Sequence, residues 1–187
     1  MKSFAHLKNF VIPSLLRDKE SNRSLWRAIK EGYVDVVATD HCAFNYKDQK
    51  RLDKDDFTKI PNGMPGVENR VKLIYTYGVK GQKITMEELV SVLAEKPAKI
   101  FGLFPQKGVI QEGSDADIII FNPEFKSIIR AENQTQNVDY NPYEGFVQYG
   151  RFEYVFLRGK MMVKGEKILD LPPGGKYFKR PSLDHIL

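Results

Sequence analysis

Val34-Asp35-Val36-Val37-Ala38-Thr39-Asp40 is the stretch on which the reading of the fold turns. Apolar and β-branched residues dominate it, and they do not alternate with polar ones. A run of that kind suits a parallel strand covered on both faces. Upstream, Asn9-Phe10-Val11-Ile12 is a second short apolar run, ended by Pro13. Between the two, Ser21 is the expected N-cap of a helix carrying Leu25, Trp26, Ala28 and Ile29, and Gly32 closes it. Strand, helix, strand in about 30 residues makes a βαβ unit.

Downstream of Asp40 the texture changes. Residues 41–66 are charged and punctuated by Pro61-Asn62-Gly63 and Pro65-Gly66. A loop of that length in a compact fold is usually functional. Helical spacing returns at Val67, Val71, Ile74 and Tyr75 and stops at Gly78. Thr85-Met86-Glu87-Glu88 is a capping box that opens a helix through Leu89, Val92 and Leu93. Pro97 restarts a short helix that ends at Gly102. Beyond Pro105 the residues read as short strands: 116–121, stopped by Asn122-Pro123, a further one over 126–131, then a hairpin of 154–157 and 161–163 turning at Arg158-Gly159-Lys160. A second turn at Lys164-Gly165 leads to 167–169. Three parts result: α/β units over 1–104, β strands over 105–171, and an extended arm over 172–187. Alternation of β and α implies a parallel sheet or barrel, and a run of strands implies a separate β layer.

The 187 residues carry 29 Lys+Arg against 24 Asp+Glu, a net charge of +5, with the signs interleaved. A nucleic-acid footprint would cluster on one stripe, so no such partner is expected. Hydrophobic residues make up 42%, enough for a core. Cys42 is the sole cysteine, which excludes an intrachain disulfide and suggests a reducing compartment. No apolar run approaches the roughly 18 residues of a membrane span, and the first residues lack a secretory apolar stretch. A cytoplasmic protein without a membrane partner is the expectation.

Asp40 stands at the C-terminal end of the most apolar strand, the face on which barrel active sites form. Two roles stay open on spacing alone: metal ligand and proton shuttle, or cap of the turn that follows. Ile60-Pro61-Asn62-Gly63-Met64-Pro65-Gly66 packs turn formers together. It either offers backbone groups to a small polar ligand or is a plain surface turn. Pro13-Ser14 would lie on the same face as Asp40. Cys42 is expected to be a buried loop residue and not a nucleophile, because no base is recognisable beside it.

Several blocks together resemble the dihydropyrimidinase/hydantoinase family of cyclic amidohydrolases. They are Val37-Ala38-Thr39-Asp40-His41-Cys42, the run from Phe57 to Glu68, Pro97-Ala98-Lys99-Ile100-Phe101-Gly102-Leu103, Gly113-Ser114-Asp115-Ala116-Asp117, and Asn137-Val138-Asp139-Tyr140-Asn141-Pro142-Tyr143-Glu144-Gly145. The resemblance covers about Phe10 to Arg180. It implies an α/β fold: the C-terminal part of a metal-dependent (β/α)8 (TIM) barrel followed by part of a small β-sandwich. It implies hydrolytic opening of dihydropyrimidines and hydantoins at a two-zinc centre. It makes Asp40 the metal ligand and proton shuttle after the last barrel strand, and Asn62 a contact to the substrate ring through its backbone. The family's substrate-binding Ser falls at Pro13 without a gap, so Ser14 stands one residue off. The family's other metal ligands, a His-x-His pair, a carbamylated lysine and two further histidines, precede the matched region. His6, His41 and His185 form no His-x-His pair. The resemblance therefore implies a portion of an enzyme, inactive alone, whose complete form is a dimer or tetramer. The rival reading is a non-catalytic scaffold of the collapsin response mediator type.

Overall fold

The computed structural model describes residues 18–51, 56–165 and 167–179. The expected strand over 9–12 and the Pro13-Ser14 pair lie outside the described residues.

Helix α1 spans Lys19–Lys30 and is capped by Asp18, not by Ser21. The Asp18 carboxylate accepts the Ser21 N–H at 2.7 Å. A carboxylate beats a hydroxyl in this place because it also meets the positive end of the helix dipole. Gly32, at φ +81°, ends the helix as expected: its N–H donates to the Ile29 carbonyl, and the Tyr33 N–H to that of Ala28.

The segment 33–40 then runs without a strand partner among the described residues. Its Val37 N–H donates to the Val92 carbonyl at 3.2 Å. Val36 is 36% exposed, so the expected cover on both faces is absent here.

Helix α2, Arg70–Ile74, continues as a π turn over Tyr75–Val79, one residue beyond the expected stop. It docks on the sheet through polar anchors. The Thr76 hydroxyl donates to the Lys72 carbonyl at 2.6 Å and accepts the Tyr149 N–H at 2.7 Å. The Tyr77 hydroxyl donates to the Val147 carbonyl at 2.9 Å. Gly78 must be bare, because a Cβ there would lie 2.6 Å from the Trp26 ring. Helix α3, Met86–Val90, opens with the expected capping box of Thr85 and Glu88. It does not stop before Pro97. A π turn at Ser91–Glu95 carries it into α4, Lys96–Ile100. Pro97 has no N–H and its ring crowds the carbonyl four residues back. A widened turn just before it accommodates both defects.

Strands β1 (Ile118–Ile128), β2 (Val147–Leu157), β3 (Lys160–Lys164) and β4 (Lys167–Ile168) form one antiparallel sheet in that order. Asn122-Pro123 does not end β1 as expected. The register slips between Asn122 and Lys126, so the chain bulges and pairing resumes. A bulge is where a strand tolerates a proline, and the Asn122 side chain accepts the Glu124 N–H to hold it. The expected hairpin turns at Arg158 and Gly159, at φ +48° and +76°, and Lys160, expected in the turn, already pairs with Leu157 as the first residue of β3.

The core is Ile74, Tyr75, Ile84 and Leu89, joined by Trp26 and Ile29 from α1, Val37, and Phe121 and Tyr149 from the sheet. One apolar cluster thus holds the helices, the 33–40 segment and the sheet together. No helix among the described residues is long and apolar enough to cross a membrane.

Candidate functional site

Asp40 sits at φ +45°, a left-handed conformation that a non-glycine residue seldom takes and that Asp tolerates better than most. Its carboxylate is exposed. The kink sends the chain into a short parallel bridge between His41 and Met64. The Cys42 N–H donates to the Met64 carbonyl at 3.2 Å. His41 Nδ1 accepts the N–H groups of Gly66 (3.1 Å) and Val67 (3.3 Å). That nitrogen is therefore a lone-pair acceptor, and a neutral ring carries its hydrogen on Nε2. His41 spends its chemistry on the loop backbone. Cys42 is exposed, against the expectation of burial.

The Pro/Gly loop lies against this strand end. Ile60, Gly63, Pro65 and Gly66 are buried, whereas Asn62 among them is exposed. Gly63, at φ +119°, fits only as glycine: a Cβ would stand 2.5 Å from Cys42 Cβ. The bridge brings the Asp40 turn and the Asn62 loop together on one side of the molecule. Ser14 lies outside the described residues.

Three further contacts hold the loop. Lys50 is 1% exposed, and its Nζ donates to the Pro61 carbonyl at 2.6 Å. Burial pulls its pKa below the ordinary lysine value, with the nearby Cys42 opposing. The Asp139 carboxylate accepts the N–H groups of Tyr46 (2.6 Å) and Lys47 (3.0 Å), at the start of the π turn Tyr46–Lys50. The Glu68 carboxylate accepts those of Thr135 (2.8 Å) and Gln136 (2.9 Å).

Below these, buried Asn141 donates to Asn69 Oδ1 at 2.9 Å and to Gln134 Oε1 at 3.0 Å. Arg70 Nη1 reaches the Val37 carbonyl at 3.3 Å. Burial, with Asp139 adding to it, pushes the Tyr140 phenol far above its usual range. The Asn137–Gly145 block is thus the tie between the sheet side and the loop. The block's role as a tie, and that of Lys50, rest on contacts between distant residues that no local pattern signals.

Among the described residues, no group of three or more His, Cys, Asp or Glu side chains is placed to hold a metal ion. A catalytic zinc normally takes three protein ligands. Asp40 fits as one ligand of such a centre, and the described residues do not make the rest.

The chain belongs to the amidohydrolase family, whose model matches residues 8–162. Within that family it is similar to hydantoinases and dihydropyrimidinases. It is 42% identical over 172 residues to the D-hydantoinase of Geobacillus stearothermophilus, covering 92% of this chain and 36% of the relative. The D-hydantoinase structure from Bacillus sp. AR9 superposes with a TM-score of 0.84 at 43% identity, over 86% of this chain and 35% of that one. The dihydropyrimidinase structure from Brevibacillus agri gives 0.84 at 42% identity with the same coverage. The chain spans about a third of the length of these relatives.

Proposed function

We propose that these residues form the last βα units of a (β/α)8 barrel and part of its β-sandwich, in a hydrolase that opens cyclic amides. Dihydropyrimidines and hydantoins are the substrate class. The observation that carries the reading is the His41–Met64 bridge, which sets the kinked Asp40 turn beside the exposed Asn62 loop. A chain some 40% identical to D-hydantoinases supports the choice of reaction.

In this reading Asp40 is the proton carrier. Its carboxylate takes a proton from the attacking water and delivers it to the ring nitrogen as the amide C–N bond breaks. Its exposure leaves it open to water and substrate. Asn62 presents backbone groups to the ring, and Ser14, one residue off the family's serine position, is the second candidate contact. Bound metal, two zinc ions by family resemblance, supplies Lewis acidity to the carbonyl and to the water. Asp40 is this chain's ligand to it. The complete protein is a homodimer or homotetramer.

The described residues do not supply the remaining ligands, and the 187-residue chain alone should not turn over. The test is hydrolysis of dihydrouracil and hydantoin by the purified chain with added zinc or manganese. Ring opening by it would overturn the reading of Asp40 as one member of a larger ligand set.

A further inference from the structure

We propose that Lys50 is a positioning residue for substrate: it fixes and polarises the Pro61–Asn62 peptide that the ring meets. The inference rests on the reading of Asn62 given above and deepens it.

Three observations point the same way. First, Lys50 is 1% exposed, an unusual place for a lysine. A buried ammonium is costly unless its hydrogen bonds are made, so its placement needs a reason. Second, its Nζ donates at 2.6 Å to the Pro61 carbonyl. That oxygen belongs to the same planar amide as the Asn62 N–H. A charged donor on the oxygen draws electrons across the amide, which orients the N–H and makes it a stronger donor. Third, Lys50 is itself held from three sides. Its π turn starts on the N–H groups that Asp139 accepts. Its own N–H donates to the Asn45 carbonyl at 3.0 Å. The Phe44 ring centre lies 5.8 Å from the ammonium. The chain from Asp139 through 46–50 to Pro61 is a continuous set of hydrogen bonds that ends at the substrate loop. Nothing in it touches the reacting atoms, so its effect falls on binding and not on bond breaking.

The experiment compares wild type with Lys50→Met, which keeps length and removes the donor, and Lys50→Arg, which restores one. Hydrogen exchange of residues 58–66, read by mass spectrometry on the complete protein, reports the clamp. It should quicken about tenfold in Lys50→Met and recover in Lys50→Arg, the loss expected for one charged hydrogen bond. In the complete metal-loaded enzyme, KM for dihydrouracil should rise about tenfold while kcat stays within about twofold, the signature of lost uniform binding. A purely structural lysine would instead lower the melting temperature and leave KM alone.

Unchanged exchange in Lys50→Met overturns the clamp. Faster exchange with unchanged KM overturns the positioning of substrate. If the complete protein opens no cyclic amide, the assigned reaction fails, while the exchange data still read the clamp. Should neither variant fold, the carbonyl 13C shift of Pro61 in the wild type must move as Lys50 deprotonates, and a static shift overturns the proposal.

Discussion

Ile118-Ile119-Ile120-Phe121 and Val34-Asp35-Val36-Val37 are both apolar, β-rich stretches, yet they meet different fates. The first enters β1 and pairs residue by residue with β2, Ile118 against Phe156 and Ile119 against Val155. The second finds no strand partner among the described residues. The difference lies in connectivity. The antiparallel partners lie nearby in the chain, β2 after the connection 129–146 and β3 after the Arg158-Gly159 turn, all within 118–168. A parallel strand needs neighbours supplied by distant crossovers. Propensity favours an extended chain in both stretches, and only the supply of partners makes one of them a sheet. The sheet is where this chain stores order. In the proposed reading the 33–40 segment is where it offers chemistry, ending in Asp40 as the proton carrier.

The sharpest way to break that division is at Asp40. In the complete enzyme Asp40→Asn should cut kcat by about 10²–10⁴, since the amide cannot accept the proton. Asn also tolerates the left-handed backbone, so the melting temperature should hold. Near-normal kcat in a metal-replete variant would remove Asp40 from the mechanism. The opposite behaviour belongs to the sheet. A Cβ on Gly150, at φ +100°, would stand 2.0 Å from the Phe121 ring. Gly150→Ala should therefore cost about 1–3 kcal/mol in chemical unfolding, with the chemistry untouched once the protein is folded. An unchanged denaturation midpoint would mean that the Phe121 ring can move aside.

Between the two regions lies the buried amide tie. Asn141→Ala leaves Asn69 and Gln134 acceptors without that donor, at a cost of about 1–3 kcal/mol. Its mark should be faster exchange in residues 41–66 before the sheet responds. Equal loosening everywhere would show that Asn141 serves the fold alone.

The smallest effect expected is acid sensitivity at the sheet's surface. Hydrogen bonds from Arg151 and Asn122, more than charge, hold Glu153 below its ordinary value of 4.5. Because the folded value is depressed, this contribution is complete above pH 4.5 and fades as pH falls through the folded value. Glu153→Gln should flatten the melting temperature's fall below pH 4.5. An identical slope in wild type and variant would leave Glu153 without such a role.

Much of this was legible in the residues, for reasons that vary by place. Thr85 with Glu88, and Arg158 with Gly159, are local devices whose partners sit within three residues, so sequence reading finds them. Asn122-Pro123 misled because a proline that ends a regular strand also fits a bulge, and the partner strand decides which. Asp18 displaced Ser21 as the cap through an electrostatic advantage that spacing does not show. Lys50 was invisible: in the charged run Asp48-Gln49-Lys50-Arg51 nothing distinguishes it, and its burial and its bond to the Pro61 carbonyl arise only in the folded chain. At the site itself, Asp40 and Asn62 were named from motif likeness. Their proximity depends on the His41–Met64 bridge, which joins residues far apart in the chain.

Taken alone, the chain leaves Tyr33 and Ile110 each 81% exposed, Leu25 49% and Val36 36%. Apolar surface of that kind normally meets a partner. Sedimentation velocity of the purified 187-residue chain tests the account most directly. The account predicts self-association or aggregation, because it sets Leu25, Tyr33 and Val36 against parts of a barrel that the described residues do not supply. A sharp monomer with a single cooperative melt would contradict it and make the chain a self-sufficient domain.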